Sequence, residues 1–429
     1  MGRKGFATRQ VQGSGHAGAR PRATPIYLTA GFTFDEFGDA AAHFGAGEGY
    51  AYSRIGNPTV EAVESTLAGL EGGTGALLLA SGQAATSVAL LTLVSAGEHI
   101  VASNHIYEGT RGLLLDNLSR FGVAVSFVQD IHDPAAWEAE IRPETRVLFA
   151  ESISNATNRL LDVAEVSGVA HAHGIPLVID NTFATPYLFR PFEHGADVVV
   201  HSASKFLAGH GAVIGGAIVD AGTFDVTSTL FPQLTVRDRT GTPSPAERAG
   251  AGARLAYARD SIAPRFGPTP SPLNAFLIGQ GIETLSLRVE RQSANAAAVA
   301  RWLAAQDAVE SVDYVGLDAH ADHALAARLL PDGFGSVFTV TLRGGAAAAQ
   351  AAIEALETFT HMTHLGDVRS LVLHPASTSH IHLTETERLA LGVHPGTLRL
   401  SIGIEDAADL IDDLSRALAA VAEPAELLV

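Results

Sequence analysis

The sequence predicts an α/β protein: a large domain built on a mostly parallel sheet, followed by a smaller α/β domain. Three observations carry this. Short apolar runs alternate with helix-spaced stretches through the middle of the chain. Several runs are almost unbroken in their apolar character, as strands covered on both faces are. Polar or charged residues follow directly on four of the runs, so one sheet edge collects them. The 429 residues suffice for a sizeable core and for two domains or more.

Taken in order, residues 1–58 read as an extended arm, rich in Gly, Arg and polar residues and with little periodicity. Asn57-Pro58 then opens a helix whose Val60, Val63, Leu67 and Leu70 share one face, and Gly72-Gly73 stops it. The predicted strands cover 76–80, 100–102, 123–128, 147–150, 177–179, 198–200 and 213–219, with helical stretches such as 163–173 between them. Residues 221–270 are rich in Pro, Gly, Thr and Arg and read as a long irregular connection. A long helix over 274–305 follows. Strand and helix then alternate, with an Ala-rich helix near 346–356 and a closing helix near 407–421. The expected divisions are therefore an arm (1–58), a large domain (59–270) and a small domain (271–429).

Composition removes several function classes. A net charge of −18 argues against nucleic acid or an anionic membrane as partner, since both need a basic face. The chain has no cysteine, which excludes disulfides, thiolate metal sites and a cysteine nucleophile, and fits a reducing, cytoplasmic setting. The first 25 residues hold no apolar core and do not read as a signal peptide. The uncharged stretch 74–97 is interrupted by Ser81-Gly82-Gln83, so it reads as a strand followed by a helix, not a membrane span.

The chemistry is expected at the strand ends. Residues 76–80 lead into Ser81-Gly82-Gln83, 147–150 into Glu151-Ser152, 177–179 into Asp180-Asn181-Thr182, and 198–200 into His201-Ser202-Ala203-Ser204-Lys205. A lysine that follows three valines needs a partner or a task. Ser81-Gly82-Gln83 opens a helix, whose free N–H groups and dipole suit an anion, and the glycine permits close approach. Ser202 and Ser204 add hydroxyls nearby, Asp180 offers a carboxylate for a cationic ring nitrogen, and Lys205 offers an amine for a carbonyl. A phosphate, a ring nitrogen and an aldehyde together describe pyridoxal phosphate.

The motifs YAYSRIGNPT (50–59), LASGQAA (79–85), IDNTFATPYL (179–188), VVVHSASKFLAGH (198–210), HPASTSH (374–380) and LRLSIGIED (398–406) resemble the Cys/Met-metabolism, or trans-sulfuration, family of pyridoxal-phosphate enzymes of fold type I. Within it, residues 271–291 and the long insertion before them are most similar to the O-acetylhomoserine sulfhydrylases. The resemblance implies that Lys205 carries the cofactor and Asp180 pairs with its ring nitrogen, while Tyr107 stacks on the ring. It implies that Ser81, Gly82, Gln83, Ser202 and Ser204 hold the phosphate, and that Tyr52 and Arg54 reach the phosphate of a neighbouring subunit. Arg399 would clamp the substrate carboxylate, with Asn155 and Ser377 on the substrate side. A homodimer follows as the minimal unit, and a homotetramer as the expected assembly. The implied reaction joins O-acetylhomoserine and sulfide to give homocysteine and acetate. A cystathionine or methionine γ-lyase and an O-succinylhomoserine-using synthase are the alternatives.

The sequence departs from the family at Asn155-Ala156, where relatives read Asn-Pro, at Glu108 and Arg111, at Gly56, and at Ser204, where many relatives have Thr. Other patterns do not hold up. GSGHAG (13–18) follows no strand, so a dinucleotide site is rejected. The pairs His320/His323 and His361/His364 lack a following Glu and a third ligand, so no metal is expected. No G-x-S-x-G elbow occurs.

Overall fold

The computed structural model of the protein describes residues 4–12, 21–46, 49–155, 157–225 and 228–422. The glycine-rich 13–18 pattern and Ala156 lie outside them. Seven strands form the larger sheet: β1 (Gly75–Leu79), β2 (His99–Ser103), β3 (Ala124–Val128), β4 (Thr145–Glu151), β5 (Leu177–Asp180), β6 (Val198–His201) and β7 (Gly216–Asp220). Their order is β1-β7-β6-β5-β4-β2-β3. The pairings β6/β5, β5/β4, β4/β2 and β2/β3 are parallel, and β7 runs antiparallel to both its neighbours.

Alternation along these strands explains their apolar sequences. Val101, Leu148, Ile179, Val199 and Val219 point into one buried cluster. Ile100, Val147, Phe149, Val178, Val198, Val200 and Ile218 point into another on the opposite face. Successive side chains take opposite faces, so a sheet covered on both sides needs apolar residues at every position.

The smaller sheet holds β8 (Val309–Asp313), β9 (Val337–Leu342), β10 (Thr360–His361), β11 (Leu371–Leu373) and β12 (Thr397–Ser401), in the order β10-β11-β12-β9-β8. It is antiparallel except for β10/β11. Helices Leu285–Ala304, Gly345–Ala355 and Ala407–Ala422 cover one face. Phe338, Val340, Leu342, Leu398 and Leu400 meet them there. The period of two then turns Thr339, Thr341 and Arg399 to the other face.

Three expectations need correction. The helix expected over 274–305 is two helices, Pro272–Ile282 and Leu285–Ala304. Gly281 lies so close to the backbone of Leu207 and Ala208 that a Cβ would collide with both carbonyls. Arg288 takes up the broken end, donating to Gly281 O at 2.6 Å and to Phe206 O at 2.9 Å. The connection 221–270 is not irregular throughout, since Pro232–Thr235 is helical and short helical turns run from Pro245 to Phe266. Ser244 and Glu247 close a capping box at their start. Arg254 is buried in an ion pair with Asp220 at 2.8 Å, and Arg259 bonds Glu64 at 2.7 Å. Arg254 thus fastens the turns to β7, and Arg259 fastens them to the helix Pro58–Glu71 and, through Ala76 O at 2.7 Å, to β1. The arm is likewise not wholly extended: Phe6–Gln10 and Phe37–Ala46 are helical.

Asn57 caps the helix Pro58–Glu71 by accepting from Thr59 N–H at 3.0 Å. Gly72 ends it in the left-handed region. Among the described residues, no helix is long and apolar enough to cross a membrane.

Candidate active site

A cavity of about 730 Å³ opens at the carboxyl edge of the large sheet, and β12 and the 362–365 segment close its other wall. It is lined by ten of the residues expected from sequence: Ser81, Gly82, Gln83, Tyr107, Asn155, Asp180, Ser202, Ser204, Lys205 and Arg399. Each large-sheet member sits there because its strand has just ended. Ser81 follows β1 and caps the helix Gly82–Leu93, accepting from Ala84 N–H at 3.1 Å. The first-turn N–H groups of a helix have no partner within it, so those of Gly82 and Gln83 are available to an anion. A Cβ at Gly82 would come within 2.7 Å of Ser202 Cβ, so this helix start and the residues after β6 meet only through glycine.

Ser202 and Ser204 differ. Ser204 is buried, and its hydroxyl donates to Gly215 O at 3.1 Å while accepting from Gly215 N–H at 3.0 Å. Ser202 is held through its backbone, which donates to Thr182 Oγ1 at 2.8 Å. Behind these strand ends His201 Nε2 and Glu71 Oε1 lie 2.6 Å apart, both fully buried. Asn181 donates to Glu71 and to Phe189 O and accepts from Ser152, which locks the ends of β4, β5 and β6 together.

Two carboxylates form part of the lining. Asp180 and Glu151 stand opposite each other in the register of β5 and β4. Burial raises both above the ordinary carboxyl range, Glu151 to about 8, with the neighbouring Asp180 adding to the effect. Glu151 accepts from Tyr107 N–H at 2.6 Å and from Asn155 N–H at 2.8 Å. It therefore fixes the backbone of two predicted site residues. Tyr107 is 45% exposed and lines the cavity.

The cations face the same space. Lys205 is pushed down to about 8, first by burial and then by Arg399. Arg399 is buried and brought down to about 10 by that burial. It donates to Asn155 Oδ1 at 3.0 Å. Among the described residues no carboxylate forms an ion pair with it, so it is prepared for a carboxylate brought from outside.

Three expected residues lie elsewhere. Tyr52 is 47% exposed with Arg54 stacked over its ring at 5.5 Å, and Arg54 donates to Pro264 O at 2.6 Å. Neither faces this chain's own cavity. Ser377 is exposed and hydrogen-bonded to His374 at 2.8 Å, on a separate cavity of about 170 Å³ with Glu385 and Arg388. Its place beside the substrate is not made in this conformation.

Several lining residues were missed as site residues. Glu151 carried the same signal as Asp180, a polar residue directly after an apolar run. Thr182 stood in the same strand-end group as Asp180, whereas His364 carried no signal, because it comes from a segment 159 residues beyond Lys205 and meets it at 3.1 Å. Among the described residues no group of His, Cys, Asp and Glu forms a metal cluster, and His320, His323 and His364 make other contacts.

The cavity thus offers an anion-receptive helix start, buried carboxyls that form no ion pair among the described residues, and an amine that loses its proton easily. Those groups suit a phosphate, a cationic ring nitrogen and an aldehyde. Comparison with known proteins agrees. Residues 7–419 match the model of the Cys/Met metabolism PLP-dependent enzymes. The chain is 41% identical to an O-acetyl-L-homoserine sulfhydrylase of Corynebacterium glutamicum over 97% of both chains. It is 38% identical to an L-methionine gamma-lyase of Treponema denticola over 96% of both. A Campylobacter jejuni structure, provisionally named O-acetylhomoserine (thiol)-lyase and bearing N'-pyridoxyl-lysine-5'-monophosphate, superimposes with a TM-score of 0.93. It is 32% identical over 96% of this chain and 99% of that one. The chain belongs to the Cys/Met metabolism family of PLP-dependent enzymes.

Proposed function

We propose that the protein replaces the γ-substituent of an activated homoserine, converting O-acetylhomoserine and sulfide to homocysteine and acetate. The observation that carries the amino-acid part of this reading is Arg399, a buried cation with no acidic partner among the described residues that is bonded to Asn155 and faces the cavity of Lys205. A guanidinium so placed receives an α-carboxylate through two parallel bonds. The acetyl donor is supported by the sulfhydrylase relatives.

In this reading Lys205 holds the cofactor, Asp180 pairs with its ring nitrogen and Tyr107 stacks on its face. Gly82, Gln83 and Ser202 receive its phosphate, with Ser81 and Ser204 shaping that pocket. When bound, pyridoxal phosphate supplies an electron sink for removal of the substrate's Cα proton. Lys205 moves that proton. With a value of about 8, about one Lys205 amine in ten is neutral at pH 7, against fewer than about one in a thousand for an ordinary lysine. Arg399 and Asn155 orient the substrate. The Cγ–O bond breaks with loss of acetate, and a Cγ–S bond forms to sulfide.

Tyr52 and Arg54 serve the phosphate of a second subunit. This is supported by an arm that presents Leu28, Phe37, Phe44 and Tyr52 to solvent. A homodimer is then the smallest active unit, with a homotetramer as the assembly and the cytoplasm as the setting. The chain then divides into an arm (1–58), a large domain (59–270) and a small domain (271–429), and the presence of two separate sheets supports the second of these divisions.

The test is a parallel assay on the purified protein. Sulfide-dependent homocysteine formation from O-acetylhomoserine should exceed that from O-succinylhomoserine and O-acetylserine. A second reading, a γ-lyase, has the methionine gamma-lyase relative in its favour. Faster release of α-keto acid and ammonia from methionine or cystathionine would establish it and displace the first.

A further inference from the structure

His364 enters the cavity from the small-domain side, on the segment that leads from β10 to β11. Its Nδ1 lies 3.1 Å from Lys205 Nζ, and its Nε2 is buried without a partner among the described residues. The backbone of this segment is fixed to the substrate side, since Arg399 reaches the carbonyls of Thr363 and His364 at 3.4 Å. Gly366 N–H, two residues on, donates to Ser401 Oγ at 2.9 Å. The backbone that carries the ring is therefore held in place by contacts that do not depend on Lys205.

We propose that His364 is a positioning residue for Lys205: its Nδ1 accepts a hydrogen bond from the Nζ amine and holds that amine at the cavity wall whenever it is not covalently engaged. A lysine amine sits at the end of four rotatable bonds, and free rotation would carry it away from a substrate Cα. A neutral acceptor restrains it without adding charge. His364 suits that task because burial, Lys205, Arg399 and Arg369 push it down to about 4, with Asp367 opposing them. At neutral pH the imidazole is uncharged and the ammonium of Lys205 donates, so the proton of His364 resides on Nε2. The charged groups facing this pair are Arg399, Arg369 and Asp367, and Glu151 and Asp180 line the same cavity.

The proposal does not depend on which acyl donor the enzyme takes. Its test compares His364→Leu, which removes the acceptor, with His364→Asn, which keeps an amide oxygen there. The first readout uses the full chain stripped of cofactor: the pH dependence of Lys205 acylation by an amine-selective reagent, followed by peptide mass spectrometry. Losing a hydrogen bond to the charged form should lower the Lys205 midpoint by about one pH unit in His364→Leu and leave His364→Asn near wild type. The second readout is turnover, which should fall about tenfold in His364→Leu with KM unchanged and recover in His364→Asn. A more neutral amine together with slower turnover is a combination that basicity alone cannot give. An unmoved or raised midpoint in His364→Leu, or an equal fall in both variants, overturns the proposal. If His364→Leu does not fold, His364→Ala takes its place under the same criteria.

Discussion

The two sheets contribute to the cavity in different ways. The large sheet delivers its groups at strand ends: Ser81 after β1, Glu151 and Asp180 as the last residues of β4 and β5, Ser202 and Lys205 after β6. The small sheet delivers Arg399 from the middle of β12, turned toward the cavity by strand alternation, and His364 from a connecting segment. Strand ends place groups where the backbone can also offer free N–H, so that wall suits a phosphate and a ring. A mid-strand side chain is gripped by neighbours on both sides, Thr339 of β9 and Leu373 of β11, so that wall suits one rigid ionic contact. The difference suggests a division of labour, with cofactor on the large sheet and substrate carboxylate on the small one.

The largest expected effect tests the first half of that division. Lys205→Ala should lower turnover by about 10³–10⁴-fold and remove the yellow absorbance of the bound cofactor. If borohydride still fixed pyridoxyl to a different lysine of this variant, the assignment of Lys205 would fail. The next effect tests the other wall. Arg399→Lys keeps the charge but loses the two-pronged donor, and kcat/KM should fall roughly ten- to a hundredfold. Cofactor absorbance should be unchanged. Loss of cofactor from this variant would mean that the two walls are not separable.

That same division decided what could be read from sequence. Strand-end groups sit beside apolar runs, and the order of residues announces them, as VVVHSASK does for Lys205. Glu151 was announced equally, but its function is to accept the N–H groups of Tyr107 and Asn155, and such backbone contacts leave no mark on residue type. The His364–Lys205 contact spans 159 residues, and no local pattern encodes it. The antiparallel pairing within the smaller sheet was equally hidden, since strand and helix alternation fits several topologies. The break between Pro272–Ile282 and Leu285–Ala304 was hidden because the contact that takes it up, Arg288 to Phe206 O, joins residues 82 positions apart.

A third effect concerns pH. Burial lifts Glu151 from 4.5 to about 8. The folded chain free of cofactor therefore keeps a proton that the unfolded chain releases above about 4.5. The stability this proton confers is fully present below that value and is lost as pH rises through 8, at no more than about 1.4 kcal/mol per pH unit. Glu151→Gln should flatten the slope of unfolding free energy between pH 5 and 8. An unchanged slope would mean that Glu151 is already ionised in the folded protein.

The smallest effects separate two hydroxyls that sequence treats alike. Ser204 both donates to and accepts from Gly215, so its hydroxyl is committed to the loop that leads into β7. Ser202 makes its described bond through its backbone, which leaves its hydroxyl for an anion. Ser202→Ala should weaken cofactor binding about tenfold, the worth of one hydrogen bond to a charged group, with little change in stability of the cofactor-free chain. Ser204→Ala should do the reverse, costing about 1 kcal/mol of stability with cofactor affinity nearly intact. Equilibrium dialysis and denaturant unfolding on the two variants decide between them. An affinity loss shared equally by both would mean that Ser204 exchanges its Gly215 partner for the phosphate, and that this wall rearranges when it is filled.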